Sequence, residues 1–314
     1  LAKQNYPENL FEVIVVNDHS TDNTEKIVKN FANNHKNCNI LLKNATDQGK
    51  KAALRQAIAL AQGKIIVATD ADCTMSEKWL STMIQPFCNN TTMLVMAPVI
   101  YQKRKGVLNN FYSLEFMSLV ASGAGATGLG IPFMGNGANM AFRRQVFEEA
   151  VNEADYFRYT SGDDVFLIHQ SIKKYGRKSV CFLREKEVLV ETIPPASLSA
   201  FIGQRLRWGS KAKGYKLSAA IAVAIVVLIM NIALVVSVLA GFFKPWIWLV
   251  FLLLMLTKML ADYPLINRFA RFSGRSNTMF YFLPFSLIYP FYLTFTGLTS
   301  FFVNFTWKGR KYSK

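Results

Sequence analysis

The sequence predicts an α/β domain, a mostly parallel sheet with helices on both faces, followed by an α-helical membrane region. Three observations predict it. Short β-branched runs alternate with amphipathic stretches through roughly the first 210 residues, the pattern of strands joined by crossover helices. From Leu217 onward long apolar runs dominate. The composition lies between two classes, with 51% apolar and 18% charged residues, too greasy for an ordinary soluble domain and too charged for a pure membrane bundle.

The elements follow in order. Val13-Ile14-Val15-Val16 reads as a strand ending in Asn17-Asp18. Ser20, Thr21 and Asp22 are candidate caps for a helix whose Ile27, Val28 and Phe31 fall at helical spacing. Ile40-Leu41-Leu42 is a second strand. Gln48-Gly49-Lys50 opens a helix with Ala53, Leu54, Ala57, Ile58 and Ala61 along one face, and Gly63 closes it. Lys64–Ala68 is the third strand and Met93–Ala97 the fourth, stopped by Pro98. A parallel sheet asks for another strand before Glu12–Val16, so the domain is read as N-terminally truncated. Ligands collect outside the carboxyl ends of such strands, where Asp18 and Asp70 fall. Six glycines between Gly123 and Gly137 read as a lid or as a structural loop, and both readings stay open.

Three apolar segments follow: Leu217–Phe243, Trp246–Ile266 and Phe280–Phe302, against the roughly 20 residues a crossing needs. Lys244-Pro245 makes the first two a hairpin. Lys258 and Asp262 interrupt the second, spaced to pair on one helix face. Pro284 and Pro290 make the third a full crossing or a re-entrant segment. The formal charge is +16, but its basic residues flank the apolar segments instead of forming one run. Lys211, Lys213 and Lys216, then Arg268, Arg271 and Arg275, place the N-terminal domain and the second link in the cytoplasm by the positive-inside rule. Nucleic acid is therefore not the expected partner; anionic lipid is. The expected organisation is a domain over 1–210 including an interfacial helix at about 197–213, a membrane region over 217–303 and a basic tail over 304–314. Cys38, Cys73, Cys88 and Cys181 form no zinc-type spacing and read as free buried thiols.

The chemistry sits in short motifs. Asp70-Ala71-Asp72 follows a buried strand, and paired carboxylates at a strand end suit a hard divalent cation that also holds phosphates. Gln204-Arg205-Leu206-Arg207-Trp208 offers two guanidinium forks for a diphosphate and an indole for a sugar face or a lipid interface. Gly162-Asp163-Asp164 precedes Val165-Phe166-Leu167, where it would start a helix well and also present a carboxylate. Ser197–Lys213 has Leu198, Phe201, Ile202, Arg205 and Trp208 available as the face of an amphipathic interfacial helix.

In order and spacing, Asn17-Asp18, Asp70-Ala71-Asp72, Gly137-Ala138-Asn139, Gly162-Asp163-Asp164 and the Gln204–Trp208 run resemble the family 2 glycosyltransferases. The resemblance is to their membrane-integrated branch of cellulose, chitin and hyaluronan synthases and ceramide glucosyltransferases, and it covers about residues 1–210. It implies a Rossmann-like GT-A fold and an inverting, metal-dependent hexosyltransferase. Such an enzyme moves a sugar from a nucleotide diphosphate, UDP-sugar by expectation, to a lipid, lipid-linked or growing glycan acceptor at a bacterial plasma membrane. Residue by residue it implies Asp164 as catalytic base with Asp163 beside it. Asp18, Lys50, Asp70, Gln204, Arg205 and Arg207 would lie at the donor, and Asp72 with Asp70 on Mg²⁺ or Mn²⁺. Trp208, Gly137 and Asn139 would lie at the acceptor. For Lys50 a solvated helix-start lysine is the equal alternative. A processive synthase is the alternative within the class; a polytopic transporter or channel, or a non-catalytic nucleotide-sugar-binding membrane protein, is the alternative outside it. The family's opening strand, with its Asn-Glu-type turn at the nucleotide, has no counterpart in this sequence.

Overall fold

The computed structural model describes residues 1–152, 162–210, 218–300, 305–307 and 310–312. Side chains are described within these ranges except at Asp163, Ser218 and the residues after Ser300. Lys211, Lys213 and Lys216, and Lys308 and Lys314 of the basic tail, therefore lie outside the described residues.

The chain forms two compact units. The first comprises Leu1–Val99 and Gly135–Val190. In it β1 (Val13–Asn17) pairs parallel with β2 (Ile40–Asn44), and the helix between them, α1 (Thr24–Asn34), is the expected crossover. Asp22 caps α1 by accepting the Thr24 N–H at 2.9 Å. The helix α2 (Lys50–Leu60) leads to β3 (Ile65–Thr69), and α3 (Trp79–Ile84) leads to β4 (Leu94–Met96) and β5 (Val99–Tyr101).

The expectation of a mostly parallel sheet needs correction. The central sheet runs in the order β3-β6-β4-β7 and is mixed. Its second member, β6 (Asn139–Arg143), lies antiparallel to both β3 and β4; only β7 (Val180–Phe182) is parallel to β4. The cause is Asn139-Met140-Ala141-Phe142, a fully buried run that follows the glycines and is not among the expected strands. The short α5 (Arg144–Val151) and α6 (Asp163–Tyr175) pack beside it, and Phe142, Phe147, Leu167 and Ile168 meet Leu94 and Met96 in one core. Burying several such side chains at about 1.5–3 kcal/mol each makes this core the main source of the unit's stability.

The second unit comprises Ile100–Met134 and Glu191–Lys314. It holds α4 (Val107–Gly128), the end of β8 (Val190–Thr192), which pairs with β5, and then α7 (Leu198–Ser210), α8 (Ser218–Gly241), α9 (Ile247–Phe272) and α10 (Phe282–Thr299). A short antiparallel pair, β9 (Phe305–Trp307) and β10 (Arg310–Tyr312), lies in the tail. The glycine-rich stretch is resolved: Gly123, Gly125 and Gly128 are inside α4, where the Gly125 Cα lies close to Leu265 of α9. The compact units thus divide the chain otherwise than at residue 210. The apolar α4 and the motif helix α7 group with the C-terminal helices because Phe111, Tyr112 and Phe201 share an aromatic cluster with Phe285 and Tyr292.

Among the described residues three helices are long and apolar enough to cross a membrane: Ala219–Gly241, Ile247–Phe272 and Ser276–Thr299. The second runs past the expected Ile266 to Phe272, with Lys258 and Asp262 paired along it and Pro264 inside it. The third holds Pro290 within continuous α-helix and starts as a 3₁₀ turn at Ser276–Tyr281. Ile225, Val226, Ile229, Leu252, Leu256 and Leu260 stay exposed, a surface that suits lipid and not water.

Candidate active site

In the first unit Asp18 follows β1 of the two-stranded sheet, Asp70 and Asp72 follow β3 of the central sheet, and Asp164 heads α6. Thr69, the last residue of β3, is in register with Asn139, the first of β6. Asp70-Ala71-Asp72 therefore leaves the sheet where Asn136-Gly137-Ala138 enters it. Asp70 receives the Lys50 ammonium at 2.6 Å. Lys50 is delivered by the first turn of α2, whose preceding Gly49 has φ 103° and donates its N–H to Asp18 Oδ1 at 3.1 Å. Asp18 also lies 3.3 Å from His19 Nδ1, and His19 takes a left-handed φ of 56°, uncommon for a residue with a Cβ. Asp18, Lys50 and Asp70 are thus brought together as one string. Asp72 is exposed in the turn beyond.

Asp164 lies in the first turn of α6, directly after Gly162 at φ 99°. Its Oδ1 accepts the Val165 N–H at 2.9 Å, and Gly137 donates its N–H toward Oδ2 at 3.4 Å. The expected base and the expected acceptor-side glycine are therefore neighbours. Asp163 begins the same helix, and its side chain lies outside the described residues.

Asn139 does not match its expected role. It is fully buried, its Nδ2 donates to Pro98 O at 2.8 Å and Val188 O at 2.7 Å, and its Oδ1 accepts from Trp79 Nε1 at 2.9 Å. The amide is spent on holding the unit together and cannot reach an acceptor.

Cys73 adjoins the acidic pair, yet burial and then the Asp70 charge push its thiol up, so it stays protonated and uncharged. All four cysteines are free, but none is fully buried, and Cys88 is exposed, where buried thiols were expected. Among the described residues no group of three or more His, Cys, Asp or Glu side chains is disposed to hold a metal by itself.

In the second unit α7 carries the Gln204–Trp208 run. Arg205 is buried, and its Nε donates to Glu115 Oε1 at 2.8 Å while Nη2 meets Oε2. Burial works against the Arg205 charge, but the Glu115 carboxylate outweighs it and holds the guanidinium protonated above its ordinary range. The expected donor contact of Arg205 is therefore corrected to a packing contact with α4. Gln204 Oε1 accepts from Tyr101 Oη at 3.1 Å and from Arg205 Nη1 at 2.5 Å. Arg207 and Trp208 are half-buried. Of the expected interfacial face of α7, Phe201 and Arg205 are buried against α4 and α10, while Leu198 is exposed and Ile202 and Trp208 are half-buried. Glu115, Tyr101 and Tyr292 escaped sequence reasoning. A signal existed for the first, since Glu115 is the one charged residue in the α4 sequence, and a lone carboxylate in an apolar helix needs a partner.

The acidic turn after β3, the carboxylate at the head of α6 and the α/β frame that joins them define a GT-A-type glycosyltransferase domain. Residues 1–151, just under half of the chain, match Glycosyl transferase family 2. Glycosyltransferase AglE of Haloferax volcanii is 34% identical over 80 residues, 26% of this chain and 26% of that protein. A beta-monoglucosyldiacylglycerol synthase of Nostoc sp. is 31% identical over 117 residues, 36% of this chain and 24% of the relative. The matched stretches thus span about a quarter of the length of these relatives. The mannosyltransferase PcManGT of Pyrobaculum calidifontis, solved with GDP-Man and Mn²⁺, aligns over 93% of this chain and 80% of its own, at 18% identity and a TM-score of 0.49.

Proposed function

We propose that the protein is an inverting glycosyltransferase that moves a sugar from a nucleotide diphosphate donor, a UDP-sugar, to a hydroxyl of a membrane-associated acceptor. The observation that carries this reading is the Asp18–Lys50–Asp70 string inside the family 2 match, leaving β3 at Thr69, which is in register with Asn139, two residues after the Gly137 whose N–H points to Asp164.

The donor set fits a divalent cation that arrives with its diphosphate. Two carboxylates, Asp70 and Asp72, are what Mg²⁺ or Mn²⁺ takes from a protein when phosphates and water complete its shell. When bound, the cation neutralises the departing diphosphate. The remaining steps belong to the chain. Asp18 accepts a hydrogen bond from the nucleotide base. Asp164 takes the proton of the acceptor hydroxyl as that oxygen bonds the anomeric carbon, and the bond from that carbon to the diphosphate oxygen breaks. Arg207 stabilises the charge left on the diphosphate, and Trp208 packs on the acceptor.

A lipid acceptor is favoured by the three apolar helices and by the name of the glucosyldiacylglycerol synthase relative. The proposed sidedness, with the α/β domain in the cytoplasm, rests on Arg268, Arg271 and Arg275 at the end of α9. The test is a screen of radiolabelled UDP-sugars and GDP-mannose with Mg²⁺ or Mn²⁺ and membrane lipids, using the purified protein in detergent. A labelled, lipid-extractable product that EDTA abolishes is expected. A long polymer would instead make the enzyme a processive synthase, and the absence of both transfer and donor hydrolysis would contradict the reading.

A further inference from the structure

The Glu115–Arg205 pair has no part in the chemistry above, yet it is the most thoroughly buried ion pair among the described residues, with both side chains about 5% exposed. Burying two charges costs several kcal/mol each, and an apolar pair of similar volume packs as well or better, so stability alone does not account for it. Its geometry does. Glu115 grips the guanidinium at two nitrogens, and a planar fork held at two points has one orientation. Tyr292 of α10 braces the same carboxylate by donating to Oε1 at 3.3 Å. The plane so fixed is sandwiched between two rings of its own helix. The guanidinium carbon lies 4.3 Å from the Trp208 centroid and 4.5 Å from the Phe201 centroid. The third nitrogen holds Gln204.

We infer that Glu115 is a positioning residue for Trp208: by setting the plane of Arg205 it sets the indole that stacks on it, and so the surface offered to the acceptor. This rests on the reading of Trp208 as an acceptor-side residue. It replaces a donor role for Arg205 with a mechanical one, in which an α4 carboxylate and an α10 tyrosine govern the aromatic end of α7. Glu115 touches neither substrate, so its effect falls on acceptor use and not on donor affinity.

The test uses the full-length protein in detergent, labelled with 5-fluorotryptophan, the Trp208 ¹⁹F line being assigned by its loss in Trp208→Phe. The double variant Glu115→Met/Arg205→Met removes both charges and keeps the volume. Expected are a thermal midpoint within a few degrees of wild type, a Trp208 line that shifts or splits while the other tryptophan lines hold, unchanged UDP affinity, and an acceptor KM raised about 10-fold or more. Tyr292→Phe, which deletes one brace and no charge, moves the same line less and in the same direction, and it decides the matter if the double variant does not fold. An unmoved Trp208 line, or a moved line with acceptor KM unchanged, overturns the inference. Wild-type protein that transfers no sugar to any acceptor contradicts the proposed function instead, and the ¹⁹F lines still report on Glu115.

Discussion

At Asn139 one side chain serves three partners, and its replacement separates two roles. Asn139→Ala takes these bonds from Trp79 Nε1 and Val188 O in a fully buried place and leaves Pro98 O with the Val190 N–H alone. Each such loss costs roughly 1–3 kcal/mol. The expected result is a destabilisation of about 3 kcal/mol or more, read as a large drop in thermal midpoint, with no specific effect on acceptor KM in whatever folds. His169 on α6 gives a second measurable effect. It is buried, and burial lowers its pKa to about 4 from an ordinary 6.5. The unfolded chain therefore takes up the proton first. The neutral ring's contribution is complete above pH 6.5 and is lost as pH falls from there toward 4, by up to about 3 kcal/mol. His169→Leu is expected to flatten the unfolding midpoint across that window, measured between pH 7 and 4. At this scale the sequence was legible where a residue type has one chemical use. Asp70, Asp72 and Asp164 stand at sheet and helix ends because carboxylates seek water, cations or helix N-termini. It was not legible where a polar side chain is absorbed by packing. Asn139 and Arg205 sit inside recognisable motifs, and only the partners Trp79 and Glu115, 60 and 90 residues away in sequence, reveal their use.

Among the elements, α2 depends on one glycine. Gly49 at φ 103° turns the chain into the helix and presents its N–H to Asp18, and an added Cβ would meet nothing within 4 Å. Gly49→Ala therefore costs only the backbone conformation, about 1–2 kcal/mol, and it loosens the Lys50–Asp70 contact. A lowered thermal midpoint together with weaker UDP binding by calorimetry is expected. The turn before α2 was readable because glycine before a helical pattern has few other uses. The strands β1 to β4 were readable for the same kind of reason: each is a β-branched or apolar run closed by a breaker. The long α4 was not. Its apolar residues go nearly all the way round, since it is packed on several sides, so it lacks the one-sided stripe that marks a surface helix. Of its glycines, which suggested a loop, Gly123 packs close against Met134, where a Cβ would come within 3.1 Å of the backbone oxygen, and Gly125 faces Leu265 of α9. The direction of β6 was hidden because antiparallel pairing depends on where the chain returns from, and local pattern does not record that.

For the molecule as a whole, the apolar surfaces of α8, α9 and α10 and the carboxylates of the α/β unit are parts of one proposed task, the sugar-nucleotide chemistry of an enzyme whose acceptor is lipid-borne. Composition alone announced both parts, because a lipid-facing helix and a water-soluble sheet draw on different residues. The division into compact units was not announced, because aromatic contacts among Phe111, Phe201 and Tyr292 join helices that are far apart in the chain. Asp72→Asn is expected to lower transfer at least 100-fold and to weaken the Mn²⁺-dependent part of UDP binding, as removal of one of two protein ligands should. The most direct measurement compares wild type with Asp164→Asn, using the donor that the screen identifies. The account predicts that the variant binds donor nucleotide with wild-type, metal-dependent affinity while sugar transfer falls by 10³-fold or more, and full transfer by Asp164→Asn would contradict it.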